Sequence, residues 1–268
     1  MAISIHTEKD YVKMRAAGKL AAEILDHITT LVKPGITTNE IDAICHKMIL
    51  DHNAIPACLG YRGSNGAPPY PKTICTSINH VICHGIPNDT PLKDGDILNI
   101  DITVIVDGYH GDTSRMYWVG EPSIKAKRLT EVTYQAMMIG IDQVRPGAFL
   151  GDIGHAIQTF VEDHGYSVVR DYCGHGIGTV FHTEPSVVHY GKKGTGVELK
   201  KGMFFTVEPM VNVGRPDTKL NKNDGWTVTT RDRTLSAQFE HTIGVTEEGA
   251  EIFTLSPKEL FFPPYKND

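Results

Sequence analysis

No apolar run in the 268 residues approaches the roughly eighteen that a membrane span requires, so no spanning helix is expected. The N-terminus also lacks an apolar signal core, and export is not expected. Positive charge is in short supply. Lys and Arg number 26 against 32 Asp and Glu, a net −6, which argues against a protein that mainly grips phosphate backbones. The five cysteines (Cys45, Cys58, Cys75, Cys83 and Cys173) form no CxxC pair, so they read as reduced, small apolar groups rather than a zinc knuckle or redox centre. No Ser/Pro/Gly-rich linker divides the chain. What remains is 40% hydrophobic and 22% charged, enough to bury a core, and the expectation is a soluble, cytoplasmic, globular protein. Histidine, at 13, is abundant.

The chain repeats itself. Val32-Lys33-Pro34-Gly35 recurs as Val144-Arg145-Pro146-Gly147, and at the same offset Ile41 meets Ile153, Asp51 meets Asp163 and His52 meets His164. Farther on, His84-Gly85-Ile86 meets His175-Gly176-Ile177, and Leu92-Lys93-Asp94-Gly95 meets Leu199-Lys200-Lys201-Gly202. This last register places Asp101 opposite Glu208. Each half reads as two helices and then strands. In the first, Val12, Ala17, Leu20, Ala21, Ile24, Leu25, Ile28 and Leu31 recur at helical spacing behind a Thr7/Asp10 capping box, and Lys33-Pro34-Gly35 stops the helix. A second helix starts at Thr37-Thr38-Asn39-Glu40. The other half predicts helices near 124–143 and 151–164. Strands are expected at 97–106, 116–119, 203–213, 226–230 and 235–246. The fold class is therefore α+β: one domain spanning 1–268, with pseudo-twofold halves near 7–120 and 121–250 and a curved, mostly antiparallel sheet covered by helices.

Acids sit where strands should be apolar. Asp101 lies in Ile97–Val106, and the following Asp107-Gly108 is a strong two-residue hairpin signal. That turn pairs Val106 with Tyr109 and Thr103 with Asp112, which puts Asp101 and Asp112 on one face as diagonal neighbours. Two carboxylates converging on a buried face repel unless a cation lies between them. Glu208 and Glu240 occupy strand-like runs in the other half. A single acid of this kind reads more often as salt-bridged or edge-exposed. Four, two of them related by the repeat, point to a carboxylate-rich site for a pair of divalent ions with one histidine, an arrangement suited to hydrolysis. Spacing leaves the histidine open among His84, His175 and His182. His52, His155, His164 and His189 read as structural or surface residues.

Ala57-Cys58-Leu59-Gly60-Tyr61, Ser77-Ile78-Asn79, Cys83-His84-Gly85-Ile86-Pro87, Asn99-Ile100-Asp101 and Gly108-Tyr109-His110-Gly111-Asp112-Thr113-Ser114 then form a recognisable series. It continues with Gly174-His175-Gly176-Ile177-Gly178, Phe181-His182, Glu208-Pro209, Asp224-Gly225-Trp226 and Gln238-Phe239-Glu240-His241-Thr242. Over essentially its whole length the chain resembles the type I methionine aminopeptidases, of the pita-bread (creatinase/aminopeptidase) fold. The resemblance implies metal ligands Asp101, Asp112, His175, Glu208 and Glu240, holding two divalent ions drawn from Co, Mn, Fe or Zn. It implies that His84 contacts the scissile amide, that His182 stabilises the oxyanion and that Glu208 also moves protons. Cys58, Tyr61, Tyr70, Cys75, Phe181 and Trp226 would form the methionine pocket, with His84 and His182 also touching substrate. A monovalent cation near Asn79, Val81 and Ser236 is implied as well.

The implied activity is removal of the initiator methionine when the next residue is small, from N-terminal methionyl peptides and nascent chains. A monomer is expected, with no membrane and no specific nucleic acid; contact with the ribosome is open. Two departures stand out: residues 64–69 read as an insertion in the pocket loop, and His80 stands where a polar or acidic residue is expected. The chain's own Met1-Ala2 start would itself be a compatible substrate. The competing readings are a proline-directed aminopeptidase or prolidase of the same fold, and a binding module that kept the fold and lost catalysis.

Overall fold

The computed structural model describes residues 3–63 and 66–265; Met1-Ala2, and Ser64 and Asn65 of the pocket-loop insertion, lie outside the described residues. Four helices are seen among them: α1 (Glu8–Ile28), α2 (Thr38–Asp51), α3 (Ile124–Ile141) and α4 (Leu150–Asp163). The repeat is visible in detail. α2 and α4 share the 112-residue offset at both ends. Each is preceded by a glycine in the left-handed region, Gly35 (φ 97°) and Gly147 (φ 83°), whose N–H donates to Leu92 O and Leu199 O respectively. Each is followed by a histidine whose Nδ1 meets the carbonyl four residues back, His52 with Met48 and His164 with Phe160. These two histidines therefore cap helices.

The capping box is formed at α1, where Thr7 N–H and Oγ1 both donate to Asp10 Oδ2 at 2.6 and 2.8 Å. α1 ends at Ile28, six residues before Pro34, so Leu31 lies in the turn beyond the helix rather than in its stripe, and Lys33-Pro34-Gly35 is not what stops it. Val12 is a correction to the expected inward stripe. It is 61% exposed, because the buried face runs through Tyr11, Met14, Ala17, Gly18 and Ala21, and Val12 lies one step around the helix from it.

The strands form one large sheet and two three-stranded ones, and every pairing seen among the described residues is antiparallel. The hairpin Ile97–Val106/Tyr109–Trp118 turns at Asp107-Gly108, both left-handed (φ 48° and 81°), and its register pairs Val106 with Tyr109 and Thr103 with Asp112. Tyr109–Trp118 also pairs with Glu240–Val245, so the sheet runs from one half into the other. α1 and α2 bury one apolar cluster against the first half's strands, and α3 and α4 a second against the other half's.

Two expected strands are broken. The run 203–213 splits into Phe204–Val207, in the large sheet, and Met210–Asn212, in a three-stranded sheet. The run 235–246 splits in the same way into Ser236–Gln238 and Glu240–Val245. The breaks fall at Glu208-Pro209 and Phe239. Proline has no N–H for a ladder, and Glu208 turns to side chains for its backbone bonds: its N–H donates to His189 Nε2 at 3.0 Å and its carbonyl accepts from Gln238 Nε2 at 3.4 Å. Trp226 lies in a loop ahead of the strand Val228–Thr230 rather than within it.

Candidate metal centre and side-chain pocket

The hairpin register fixes one half of the site. Asp101 and Asp112 lie on one face of the ribbon, and both line a cavity of about 710 Å³. The seam where the chain changes sheets supplies the other half, bringing Glu208 and Glu240 to the same cavity. Asp112, His175 and Glu240 each offer a donor atom, and these atoms all lie within 4.8 Å of one another. His175 Nε2 stands 3.5 Å from Asp112 Oδ2 and 3.7 Å from Glu208 Oε1.

The structure also distinguishes the three histidines that spacing left open. His175 Nδ1 is 3.1 Å from the Gly176 carbonyl, which makes Nδ1 the donor there and turns Nε2 toward the carboxylates. His84 and His182 line the cavity nearer the aromatic pocket. Both His-Gly-Ile copies need their glycine. A Cβ on Gly85 would come within 2.1 Å of Thr76 O, and one on Gly176 within 2.1 Å of Glu184 O. His84 itself is left-handed (φ 56°), a conformation that costs on the order of 1–3 kcal/mol and turns its ring into the cavity.

Electrostatics set these acids apart. Burial, then the neighbouring Asp112 charge, holds the Asp101 carboxyl well above its ordinary range. Glu240 is raised likewise, by burial first and then by Asp112, Glu208 and Asp101. Glu208 is raised to about 7, chiefly by burial, with His175 opposing and Asp112 adding to the rise. For His175, burial pulls the ring down, but the hydrogen bond to Asp112 and the charge of Glu208 outweigh it. His84 is lowered to about 4, burial leading. His182 is lowered too, by burial and then by the rings of His175, His84 and His110, so it is a neutral ring at neutral pH. Buried carboxylates raised by one another at one focus, with an imidazole nitrogen turned among them that gives up its proton when an ion binds, suit divalent cations with mixed oxygen and nitrogen ligation. The donor set fits.

The remaining positions singled out from sequence form the opposite wall. Cys58, Tyr70, Cys75 and Trp226 make one buried cluster, with Tyr61 and Phe181 packed on it. Tyr70 sits edge-on to Trp226 at 5.2 Å and donates its hydroxyl to Gly85 O at 2.9 Å. Trp226 Nε1 donates to Pro68 O at 2.8 Å, which ties Pro68 of the insertion to a pocket wall. Ile86, from the Cys83–Pro87 string, and Ala67, from the insertion, also pack on this wall, although neither was assigned to the pocket from sequence. Asn79 and Ser236 are neighbours: Ser236 N–H donates to Asn79 O at 2.8 Å, while Asn79 Oδ1 accepts from Ile97 N–H.

Several supporting residues were also not assigned from sequence. Thr206 Oγ1 accepts the His175 N–H and donates to Glu208 Oε1 at 2.8 Å, and Gln238 Nε2 donates to Glu208 Oε2 at 3.1 Å. Thr103 Oγ1 donates to Asp112 Oδ1 at 2.7 Å. His189, read from sequence as structural or surface, is fully buried behind Glu208. Gln238 at least lay within a recognised string; His189 carried no local signal.

Comparison with known proteins gives the same picture. The sequence model of metallopeptidase family M24 matches residues 12–247. A methionine aminopeptidase of Rickettsia prowazekii is 69% identical over 265 residues, covering 99% of this chain and 100% of the relative. A methionine aminopeptidase of Escherichia coli K12 is 56% identical, with 95% of each chain covered. Among solved structures, the crystal structure of methionine aminopeptidase from Rickettsia prowazekii superposes with a TM-score of 0.92 at 68% identity, covering 95% of this chain and 100% of that one.

Proposed function

We infer the reaction from what the molecule is: the chain belongs to metallopeptidase family M24 and, within it, to the methionine aminopeptidases. It removes the N-terminal methionine from peptides and nascent proteins, and the residue that follows is small. One observation carries this reading: the convergence of Asp112, His175 and Glu240 donor atoms beside a pocket walled by thiols and aromatic rings. A flexible thioether suits such walls, since sulfur and aromatic faces pack well.

Asp101, Asp112, His175, Glu208 and Glu240 would hold the divalent ions, a pair drawn from Co, Mn, Fe or Zn. Bound there, the ions supply Lewis acidity and a water activated for attack. The carboxylate-rich end also draws in the substrate's protonated α-amino group, which favours cutting at a free N-terminus. Glu208 takes a proton at its carboxylate and returns one to the leaving amine. His182, a neutral ring, keeps one N–H to donate to the developing oxyanion, and His84 contacts the scissile amide. A monovalent cation near Asn79, Val81 and Ser236 would brace the strand ends there. The enzyme would act as a single domain and a monomer in the cytoplasm, where five free cysteines are at home. Ribosome contact is a further part of this reading, open to co-sedimentation.

The test compares methionine release from Met-Ala peptides with X-Pro cleavage, after chelation and after adding back each candidate ion. Methionine release that vanishes on chelation and returns with at least one ion is expected. Dominant X-Pro cleavage, or inactivity with every ion, would overturn the reading. His182→Ala should lower kcat by about 10²–10³-fold with little change in KM, the usual cost of losing one oxyanion donor. Steady-state kinetics on Met-Ala-Ser would check it.

A further inference from the structure

The turn between the strands Gly174–Gly176 and Thr183–Val187 carries both Phe181 and His182, one a pocket wall and the other the proposed oxyanion donor. Its backbone is held at one point. Among the described residues, the hydrogen bonds reaching residues 178–182 all arrive at the Gly178 carbonyl, and both come from His110: the backbone N–H at 2.9 Å and the ring Nδ1 at 2.9 Å. The His110 ring also stacks on Phe181, with centroids 5.5 Å apart and planes 17° from parallel. Phe181 in turn lies 4.0 Å from the His182 ring. Behind Gly178 stands His6, whose Cε1 would be 2.8 Å from an added Cβ. The turn is thus gripped from one side and backed from the other.

We propose that His110 is the positioning residue that sets the Phe181–His182 turn, and through it the side-chain pocket and the oxyanion donor together. This deepens the methionine aminopeptidase reading and rests on it for its kinetic consequences. Without the ring, the Gly178 carbonyl keeps only the His110 backbone N–H and Phe181 loses its stacking partner, so the turn can shift, and a displacement of about 1 Å at a catalytic group can cost on the order of 10²-fold. Because His110 acts on two walls of the cavity at once, its loss should relax side-chain selection as well as slow the reaction.

The test uses the full-length, metal-loaded enzyme with three substitutions, of which His110→Ala removes the ring's bond and its stack while keeping the backbone N–H bond to Gly178 O. His110→Asn restores a donor near the Nδ1 position, and His110→Phe restores only the stack. Hydrogen exchange of the two amides that hold the turn (residue 110, donating to Gly178 O, and Ile177, donating to Phe204 O), metal affinity by calorimetry, and kcat and KM for Met-Ala-Ser and for its leucine counterpart are measured for each. His110→Ala should speed exchange of these amides, lower kcat about 100-fold and narrow the Met/Leu ratio, with metal affinity unchanged. His110→Asn should recover the exchange protection and most of kcat. His110→Phe should recover the Met/Leu ratio more than kcat. Unchanged exchange in His110→Ala, or His110→Asn no better than Ala, would overturn the proposal. So would a fall in metal affinity, which would move the effect to nearby Asp112. Wild-type enzyme that releases no methionine would defeat the functional reading, while the exchange measurement would still decide whether His110 holds the turn.

Discussion

Glu240→Gln is expected to release methionine on the order of 10³-fold more slowly than wild type, yet to melt at a higher temperature once metal is stripped from both. The two effects share one cause. Glu240 offers one of the three donor atoms within 4.8 Å, so its amide both weakens the ligand set and lowers its charge. Loss of a direct ligand should reduce metal affinity by more than the roughly 10–100-fold that outer partners cost. In the metal-free protein the same carboxylate is a liability, because burial and the charges of Asp112, Glu208 and Asp101 already hold it well above its ordinary range.

The sign of the pH dependence follows. A carboxyl whose folded pKa lies above its unfolded value keeps its proton in the folded protein after the unfolded chain has lost it. Metal-free stability therefore falls as pH rises through that window. For Glu208 the window runs from 4.5 to about 7, a shift equivalent to about 3 kcal/mol. Asp101 and Glu240 extend it upward. Below about pH 7 the buried neutral rings of His84, His182, His189 and His241 act in the opposite sense, so the comparison is made above it: chelated wild type should melt lower at about pH 9 than at about pH 7, and Glu240→Gln should show a shallower slope. Metal reverses the trend, since its ligands must be deprotonated to bind. Chelated wild type that melts at the same temperature or higher at the alkaline end would show that these carboxylates are not confined together.

What could be read without coordinates was local or repeated. The Asp107-Gly108 turn determines a register, and a register determines faces, so Asp101 and Asp112 could be placed together from a dipeptide. The repeat carried the argument across the chain, and its two copies share helix bounds and left-handed glycines. What could not be read depended on partners far away in sequence. The break at Glu208 exists because His189 and Gln238, 19 and 30 residues away, take up its backbone bonds in place of a strand. That His175, of the three histidines, turns a ring nitrogen among the carboxylates depends on the direction of one ring, which no spacing encodes. Val12 misled because an apolar residue near the end of an amphipathic stripe need not lie on it.

The largest effect on stability should come from a charge outside the cavity. Arg115 and Asp26 form a fully buried pair at 2.5 Å, with side chains 3% and 1% exposed. Arg115 follows Ser114 on the hairpin, so it points away from the carboxylate face and into α1. Its guanidinium also reaches Ala22 O at 3.3 Å, and Asp26 accepts from Ser256 Oγ at 2.8 Å and from Lys258 N–H at 3.3 Å. One carboxylate thus ties helix, sheet and C-terminal segment together. Asp26→Asn keeps the shape but leaves a buried guanidinium without its counter-ion, and should cost about 3–5 kcal/mol. Asp26→Leu combined with Arg115→Met should recover much of that loss, since it removes both desolvated charges and keeps apolar volume. Urea unfolding of the three proteins measures this. Methionine release per folded molecule should stay near wild type in all of them, because the pair faces α1 and not the cavity. A double variant no more stable than Asp26→Asn would mean that the contacts to Ser256 and Lys258, rather than the charge pair, hold this junction.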